Sequence, residues 1–142
     1  MPEPRFHWQV RVYYEDTDTA GVVYYANYLK FFERARTEWL RALGWGQQAL
    51  AEQHGRQFVV AAANIEYKRP ARLDDLIDLE VRVLQTGRAS LTFEQTASRA
   101  GELLARAEVR IGCIALAPFA PAAMPAEMLT KMKLLKTEAG KP

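Results

Sequence analysis

The sequence predicts an α+β fold in which a long antiparallel β-sheet is wrapped around one central α-helix. Three observations carry this. Segments after residue 76 alternate apolar and polar side chains and are separated by short Gly-containing turns. One earlier segment, residues 27–43, repeats apolar side chains at spacings of three and four. The length of 142 residues with 49% hydrophobic content suits a single core, so one domain over residues 1–142 is expected, with residues 118–142 as a C-terminal extension.

In order, Phe6, Trp8, Val10, Val12 and Tyr14 fall on every second residue, with His7, Gln9 and Arg11 between them, the period of a half-buried strand over 6–14. Tyr28, Phe31, Phe32, Ala35, Trp39 and Leu43 then form one face of a helix, with Lys30, Glu33, Arg34, Glu38 and Arg41 mostly on the others. Asn27 is the expected N-cap and Gly44 the expected stop. A short helix over Gln47–Gln53 ends at Gly55, and Phe58–Ala63 and Ile65–Arg69 read as extended pieces stopped by Pro70. Ile77, Leu79, Val81 and Val83 alternate up to Thr86-Gly87. Leu91 and Phe93 continue to Ala100-Gly101, and Leu103, Ala105, Ala107, Val109, Ile111 and Cys113 follow. A sheet with one apolar face needs a cover, and 27–43 is the one large apolar helix available. A Pro-rich link over 118–125 leads to a helix with Met128, Met132 and Leu135.

Several function classes recede on composition. Nineteen basic against seventeen acidic residues leave a net charge of +2, far from the concentrated basic field of a nucleic-acid binder. One cysteine, Cys113, makes no internal disulfide, and with two histidines it does not make a convincing zinc set. No metal site is expected. The N-terminus has no apolar signal-peptide core, and the longest uncharged stretch, Ile111–Ala126, has 16 residues and three prolines, against about 20 apolar residues for a membrane span. A cytoplasmic protein is the expectation. Lys131, Lys133, Lys136 and Lys141 read as a solvated helix face rather than a membrane-binding one. Ser90 and Ser98 lie on predicted strands, not in a nucleophile elbow. Cys113 alternates with apolar residues as a core cysteine does. Gly44-Trp-Gly-Gln-Gln-Ala49 resembles a dinucleotide fingerprint but follows a helix instead of a strand.

What remains is the segment from Tyr13 to Asn27, which joins the first strand to the start of the apolar helix and holds Glu15, Asp16 and Asp18 within four residues. Acidic residues of this kind form turns through their own backbone hydrogen bonds. They also stand just upstream of a helix N-terminus, where free N–H groups and a partial positive charge suit a developing oxyanion, so a carboxylate here can serve as base or nucleophile. Both readings are open on the residues alone.

Tyr-Tyr-Glu-Asp-Thr-Asp18, followed by Ala20-Gly-Val-Val-Tyr-Tyr-Ala-Asn27-Tyr, resembles the signature of the 4-hydroxybenzoyl-CoA thioesterase family. Within it the chain is most similar to the YbgC-type branch, acyl-CoA thioesterases associated with the Tol-Pal envelope system. The likeness continues through Asn27–Arg41 and Gln47–Leu50 to Ile65-Glu-Tyr-Lys-Arg-Pro-Ala-Arg-Leu-Asp-Asp75. It implies a hotdog fold, a homo-oligomer (a dimer or a homotetramer), an acyl-CoA or acyl-carrier thioester of small to medium acyl chain as substrate, no cofactor, and an association with an acyl carrier protein or the envelope system. It further implies that Asp18 is the catalytic carboxylate and that the Tyr25 backbone N–H is the oxyanion donor. Tyr14 either orients the carboxylate or water, or packs at the end of the first strand. The branch typically has histidine where this chain has Tyr25, which removes an imidazole relay but not a backbone donor. Lys68, Arg69, Arg72 and Arg88 are candidates for the phosphates of CoA, since guanidinium forks suit phosphate. The competing reading from another class is an acyl-CoA-binding or envelope-interaction module with weak turnover. A hotdog dehydratase is disfavoured, because His7 and His54 lie outside the signature.

Overall fold

A computed structural model describes residues 5–135; residues 1–4, Lys136 and Lys141 lie outside the described residues. The strands are β1 (Arg5–Arg11), β2 (Arg56–Tyr67), β3 (Leu76–Thr86), β4 (Ser90–Arg99), β5 (Glu102–Leu116) and β6 (Phe119–Pro121), with helices α1 (Asn27–Ala42), α2 (Gln47–His54) and α3 (Ala126–Leu135). They form one antiparallel sheet ordered β1-β3-β4-β5-β2, with β6 paired to the end of β5. This is the α+β architecture expected from the alternation and the single large helix.

The alternation of β3 and β4 puts Ile77, Leu79, Val81, Val83, Leu91 and Phe93 on the covered face, all fully or almost fully buried. Phe31, Phe32, Ala35 and Trp39 of α1 press onto them, and Trp39 meets Phe93 edge to face with ring centroids 5.1 Å apart. Gln95 continues the same face of β4 and is fully buried. Its Nε2 donates to the Phe32 carbonyl at 2.9 Å and its Oε1 accepts from Arg36 at 2.9 Å, so helix and sheet share a polar rivet inside the core. Helix α1 stops as expected: Gly44 has φ of 87°, its N–H donates to Arg41, and the N–H of Trp45 donates to Leu40, the two bonds of a Schellman ending.

Five local expectations are corrected. The first strand ends at Arg11, because the Asp16 carboxylate accepts the Tyr13 N–H at 2.9 Å and folds Tyr14–Asp16 into a 3-10 turn. Tyr14 is therefore not strand-end core; it is 82% exposed. Asn27 is the first helical residue and not the cap, which is Ala26 without a side-chain capping bond. The two extended pieces around Asn64 are one strand, β2, with a bulge between Val60 and Ala62. In β5 an irregularity opposite Ala97 and Ser98 turns Leu104 inward and leaves Leu103 at the surface. Residues 118–125 include β6, and Met124, Met128 and Met132 are buried in the core. Cys113 is buried, and burial pushes its thiol up, as befits a core cysteine. Among the described residues no helix is long and apolar enough to cross a membrane.

Candidate active site

Residues 12–27 leave β1 and return to the sheet end as α1. Two layers of backbone bonds hold this loop. Val12 exchanges hydrogen bonds with Asp74 and Asp75, and Val23 donates to Ala71 at 2.8 Å, so segment 70–75 braces both ends. Val22 also bridges Arg72, and Thr17 bridges Val23. Segment 70–75 is itself clipped by Arg99, whose guanidinium reaches Asp75 at 2.6 Å and Glu102 at 2.7 Å. Burial alone would raise the Asp75 carboxyl, but the Arg72 N–H and Arg99 outweigh it and hold it below the ordinary range.

Inside the loop, Asp18 closes a tight hairpin. Its N–H donates to the Val22 carbonyl at 2.9 Å, its carbonyl accepts from Gly21 at 3.0 Å, and its Oδ1 accepts the Ala20 N–H at 2.9 Å and the Val22 N–H at 3.4 Å. Gly21 has φ of 79°, a left-handed conformation that a glycine adopts without strain. The turn-forming reading of the acidic residues is thus true of Asp16 and of one Asp18 oxygen. The other oxygen, Oδ2, has no hydrogen-bond partner among the described residues. Asp18 lines an open depression of about 470 Å³ together with Tyr14, Thr17, Thr19, Gly21 and Leu73. A carboxylate with one oxygen anchored and one free has its orientation set while a lone pair stays available to water or substrate. Glu15 is exposed and Asp16 is buried beneath the turn.

The start of α1 is open. Tyr24 donates its N–H to Asp16, Asn27 and Tyr28 donate theirs to Tyr24 and Tyr25, and the Tyr25 N–H has no backbone acceptor among the described residues. With no side-chain cap, the helix end keeps donors and partial positive charge available to an anion. Tyr25, Tyr28, Tyr67, Lys68 and Arg69 line a second depression of about 260 Å³ beside it. The rings pack edge to face: Tyr25 on Tyr67 at 5.9 Å and Tyr28 on Tyr67 at 5.5 Å.

The structure gathers Asp18, Tyr14 and Tyr25 on one loop, with Arg72 on the segment that braces it and Lys68 and Arg69 just before that segment, their N–H groups held to the Leu104 carbonyl. Asp18 and Tyr25 open onto separate depressions within the single chain. Lys68 pairs with Glu66 at 3.0 Å and Arg69 with Glu102 at 3.2 Å, both at the surface. Arg88 lies apart from them within the chain. It follows the far end of β3, a strand of eleven residues, about 33 Å of extended chain, whose near end adjoins segment 70–75. Sequence reasoning also missed Tyr67 and Arg99. Tyr67 was legible from the alternation Ile65, Tyr67, which puts it on the face toward the helix; Arg99 had no local signal.

An antiparallel sheet wrapped around one helix, with a carboxylate loop entering the open N-terminus of that helix, is the hotdog arrangement of thioester hydrolases. The chain belongs to the thioesterase-like superfamily, whose model matches residues 12–132. It is 46% identical over 136 residues to the acyl-CoA thioesterase YbgC of Haemophilus influenzae, which covers 96% of this chain and all of that one. A crystal structure of a probable thioesterase from Bartonella henselae is 37% identical and superposes with a TM-score of 0.81 over 85% of this chain and 99% of that one. A 1,4-dihydroxy-2-naphthoyl-CoA thioesterase from Synechocystis is 27% identical, with a TM-score of 0.82 over 91% and 96% of the two chains.

Proposed function

We propose that this thioester hydrolase acts on acyl-CoA, or on the chemically equivalent acyl-carrier thioester, with acyl groups of small to medium size, and that Asp18 is its catalytic carboxylate. The observation that carries this is the divided state of the carboxylate: Oδ1 is held by two backbone N–H groups, Oδ2 has no hydrogen-bond partner among the described residues, and the side chain lines an open depression. In the general-base route, Oδ2 takes a proton from water as the water oxygen bonds to the thioester carbon. With the thioester group seated between the two depressions, the carbonyl oxygen gathers negative charge against the Tyr25 N–H, the carbon–sulfur bond breaks, and the proton on Asp18 passes to the departing sulfur. In the nucleophilic route, Oδ2 bonds to the carbon, the carbon–sulfur bond breaks and the thiolate leaves; water then cleaves the mixed anhydride, regenerating the Asp18 carboxylate and releasing the acyl acid and a proton that the thiolate takes up. A thiolate is a good leaving group and a thioester carbonyl is weakly resonance-stabilised, so neither route demands a metal or cofactor; undiminished turnover after chelation is the expected outcome. General-base assistance is worth about 10²–10⁴-fold and one oxyanion donor about 10²–10³-fold.

Tyr14, on the rim beside Asp18, orients the attacking water in this reading. Lys68, Arg69 and Arg72 meet the phosphates of CoA, and the half-exposed rings of Tyr25 and Tyr67 form an apolar wall for the acyl group. The second depression lies at the Tyr67 end of β2, an edge strand that also carries the exposed Val59 and Val60 toward its other end. A second copy paired along the whole β2 edge would bury those valines at one end and add a wall to the site at the other, so sedimentation of the full chain as a dimer or a tetramer is the expected result. A cytoplasmic location goes with acyl-CoA as substrate, and cell fractionation reads it. Thiol release by wild type and by Asp18→Asn tests the assignment: a folded variant that keeps wild-type kcat removes Asp18 from the chemistry.

A further inference from the structure

The turn that presents the Tyr25 N–H is held on two sides. On the loop side, Asp16 supplies one carbonyl to both the Tyr24 N–H at 3.1 Å and the Asn27 side-chain amide at 2.8 Å. On the sheet side, one side chain reaches the turn's backbone. The hydroxyl of Tyr67, at the last position of β2, donates to the Tyr25 carbonyl at 3.1 Å. That carbonyl is otherwise met by the Tyr28 N–H at the long distance of 3.3 Å, so within the helix it is weakly engaged. The Tyr67 ring does not swing freely. Its edge-to-face contact with Tyr28, a residue buried in the core, and with Tyr25 itself fixes where the hydroxyl arrives.

We propose that the Tyr67 hydroxyl is a positioning group for thioester hydrolysis: by gripping the Tyr25 carbonyl it sets the pitch of the turn whose N–H faces the developing oxyanion. This rests on the assignment of Asp18 and the Tyr25 N–H made above. A donor preorganised for the oxyanion acts most strongly where charge develops, in the transition state, and contributes little to ground-state binding. The hydroxyl therefore governs kcat. The ring of the same residue, lining the depression, is left to the acyl group.

Tyr67→Phe isolates the hydroxyl, because it keeps the ring contacts at a half-exposed position. The expected result is a fall in kcat of about threefold to tenfold, the scale of one neutral hydrogen bond, with KM within about twofold of wild type and an unchanged melting temperature. A second readout does not depend on turnover: the amide ¹⁵N resonance of Ala26, whose peptide contains the Tyr25 carbonyl, moves in Tyr67→Phe and stays put in Tyr14→Phe. Wild-type kcat in Tyr67→Phe, or a raised KM with kcat intact, overturns the proposal, as does an unmoved Ala26 resonance. Asp18→Asn is measured in parallel. Equal activity of wild type and Asp18→Asn overturns the assignment of Asp18 while Tyr67 stands or falls on its own kcat, and absence of thiol release by wild type removes both.

Discussion

The side-chain amide of Asn27 donates to the main-chain carbonyl of Asp16 at 2.8 Å, across eleven residues of chain. The first residue of α1 thereby holds the loop that carries Asp18, instead of capping its own helix. Asn27→Ala removes the bond and leaves a partly buried carbonyl with one acceptor interaction fewer, so a loss of about 1 kcal/mol of stability is expected. The loop also loses its tie to the helix, and kcat falls with it. Asn27→Asp, of similar shape, replaces the donor with an acceptor and is expected to be no better than alanine. Urea unfolding and steady-state kinetics on the two variants read both effects.

Gly21 lies in the hairpin closed by Asp18, with φ of 79° and open space where a Cβ would stand. Gly21→Ala meets no steric block, so its whole cost is backbone strain, about 1–2 kcal/mol for a left-handed non-glycine residue. If the hairpin relaxes to relieve that strain, the Ala20 and Val22 N–H groups leave Oδ1. The expected outcome is a drop in kcat larger than the stability loss explains. Unaltered kcat would mean the anchoring of Oδ1 is irrelevant to turnover.

Much of this architecture was legible because local periodicity and burial agree. The three- and four-residue spacing of Tyr28, Phe31, Ala35 and Trp39 gave α1, and the alternation of Ile77 to Val83 gave β3 with its faces correctly assigned. Two of the failures share a cause: a tertiary partner took a group that local rules assign elsewhere. Asn27 spends its side chain on Asp16, and Asp16 spends its carboxylate on the Tyr13 N–H, which ends β1 early and turns Tyr14 out to solvent. Arg88 was grouped with Lys68, Arg69 and Arg72 by charge, whereas the antiparallel run of β3 and β4 puts its turn at the end of β3 away from Leu76. For the site, the carboxylate and the helix start were readable; the tyrosine that reaches across from β2 belongs to the packing.

Gln95→Leu is expected to destabilise the protein although it makes the core more apolar. It strips the Phe32 carbonyl of its side-chain donor and leaves the Arg36 guanidinium, which burial already pushes down, without the amide oxygen it meets. Unpairing such groups costs about 1–3 kcal/mol, which a lowered urea midpoint with an unchanged slope would register.

Glu94 sits between Arg82 at 2.8 Å and Arg106 at 2.7 Å on the outer face of the sheet. Burial would raise its carboxyl, but the two guanidiniums outweigh burial and hold it below the ordinary range. The native state therefore keeps this carboxylate ionised to lower pH than the unfolded chain does. Its stabilising contribution is complete above the unfolded value of about 4.3 and is lost as pH falls through the depressed native value. Glu94→Gln is expected to lower stability at pH 6 and to flatten the decline of unfolding free energy below about pH 4.3. A decline as steep as that of wild type would assign acid sensitivity to other groups.

The central claim is that Asp18, anchored through Oδ1 and free at Oδ2, performs the hydrolysis. Its most direct test is thiol release from short, long and aromatic acyl-CoAs by wild type and Asp18→Asn, with circular dichroism establishing that both are folded. The account predicts turnover by wild type and a loss of at least about 10²-fold in kcat in the variant across the panel. A folded Asp18→Asn protein that releases thiol at the wild-type rate would contradict it.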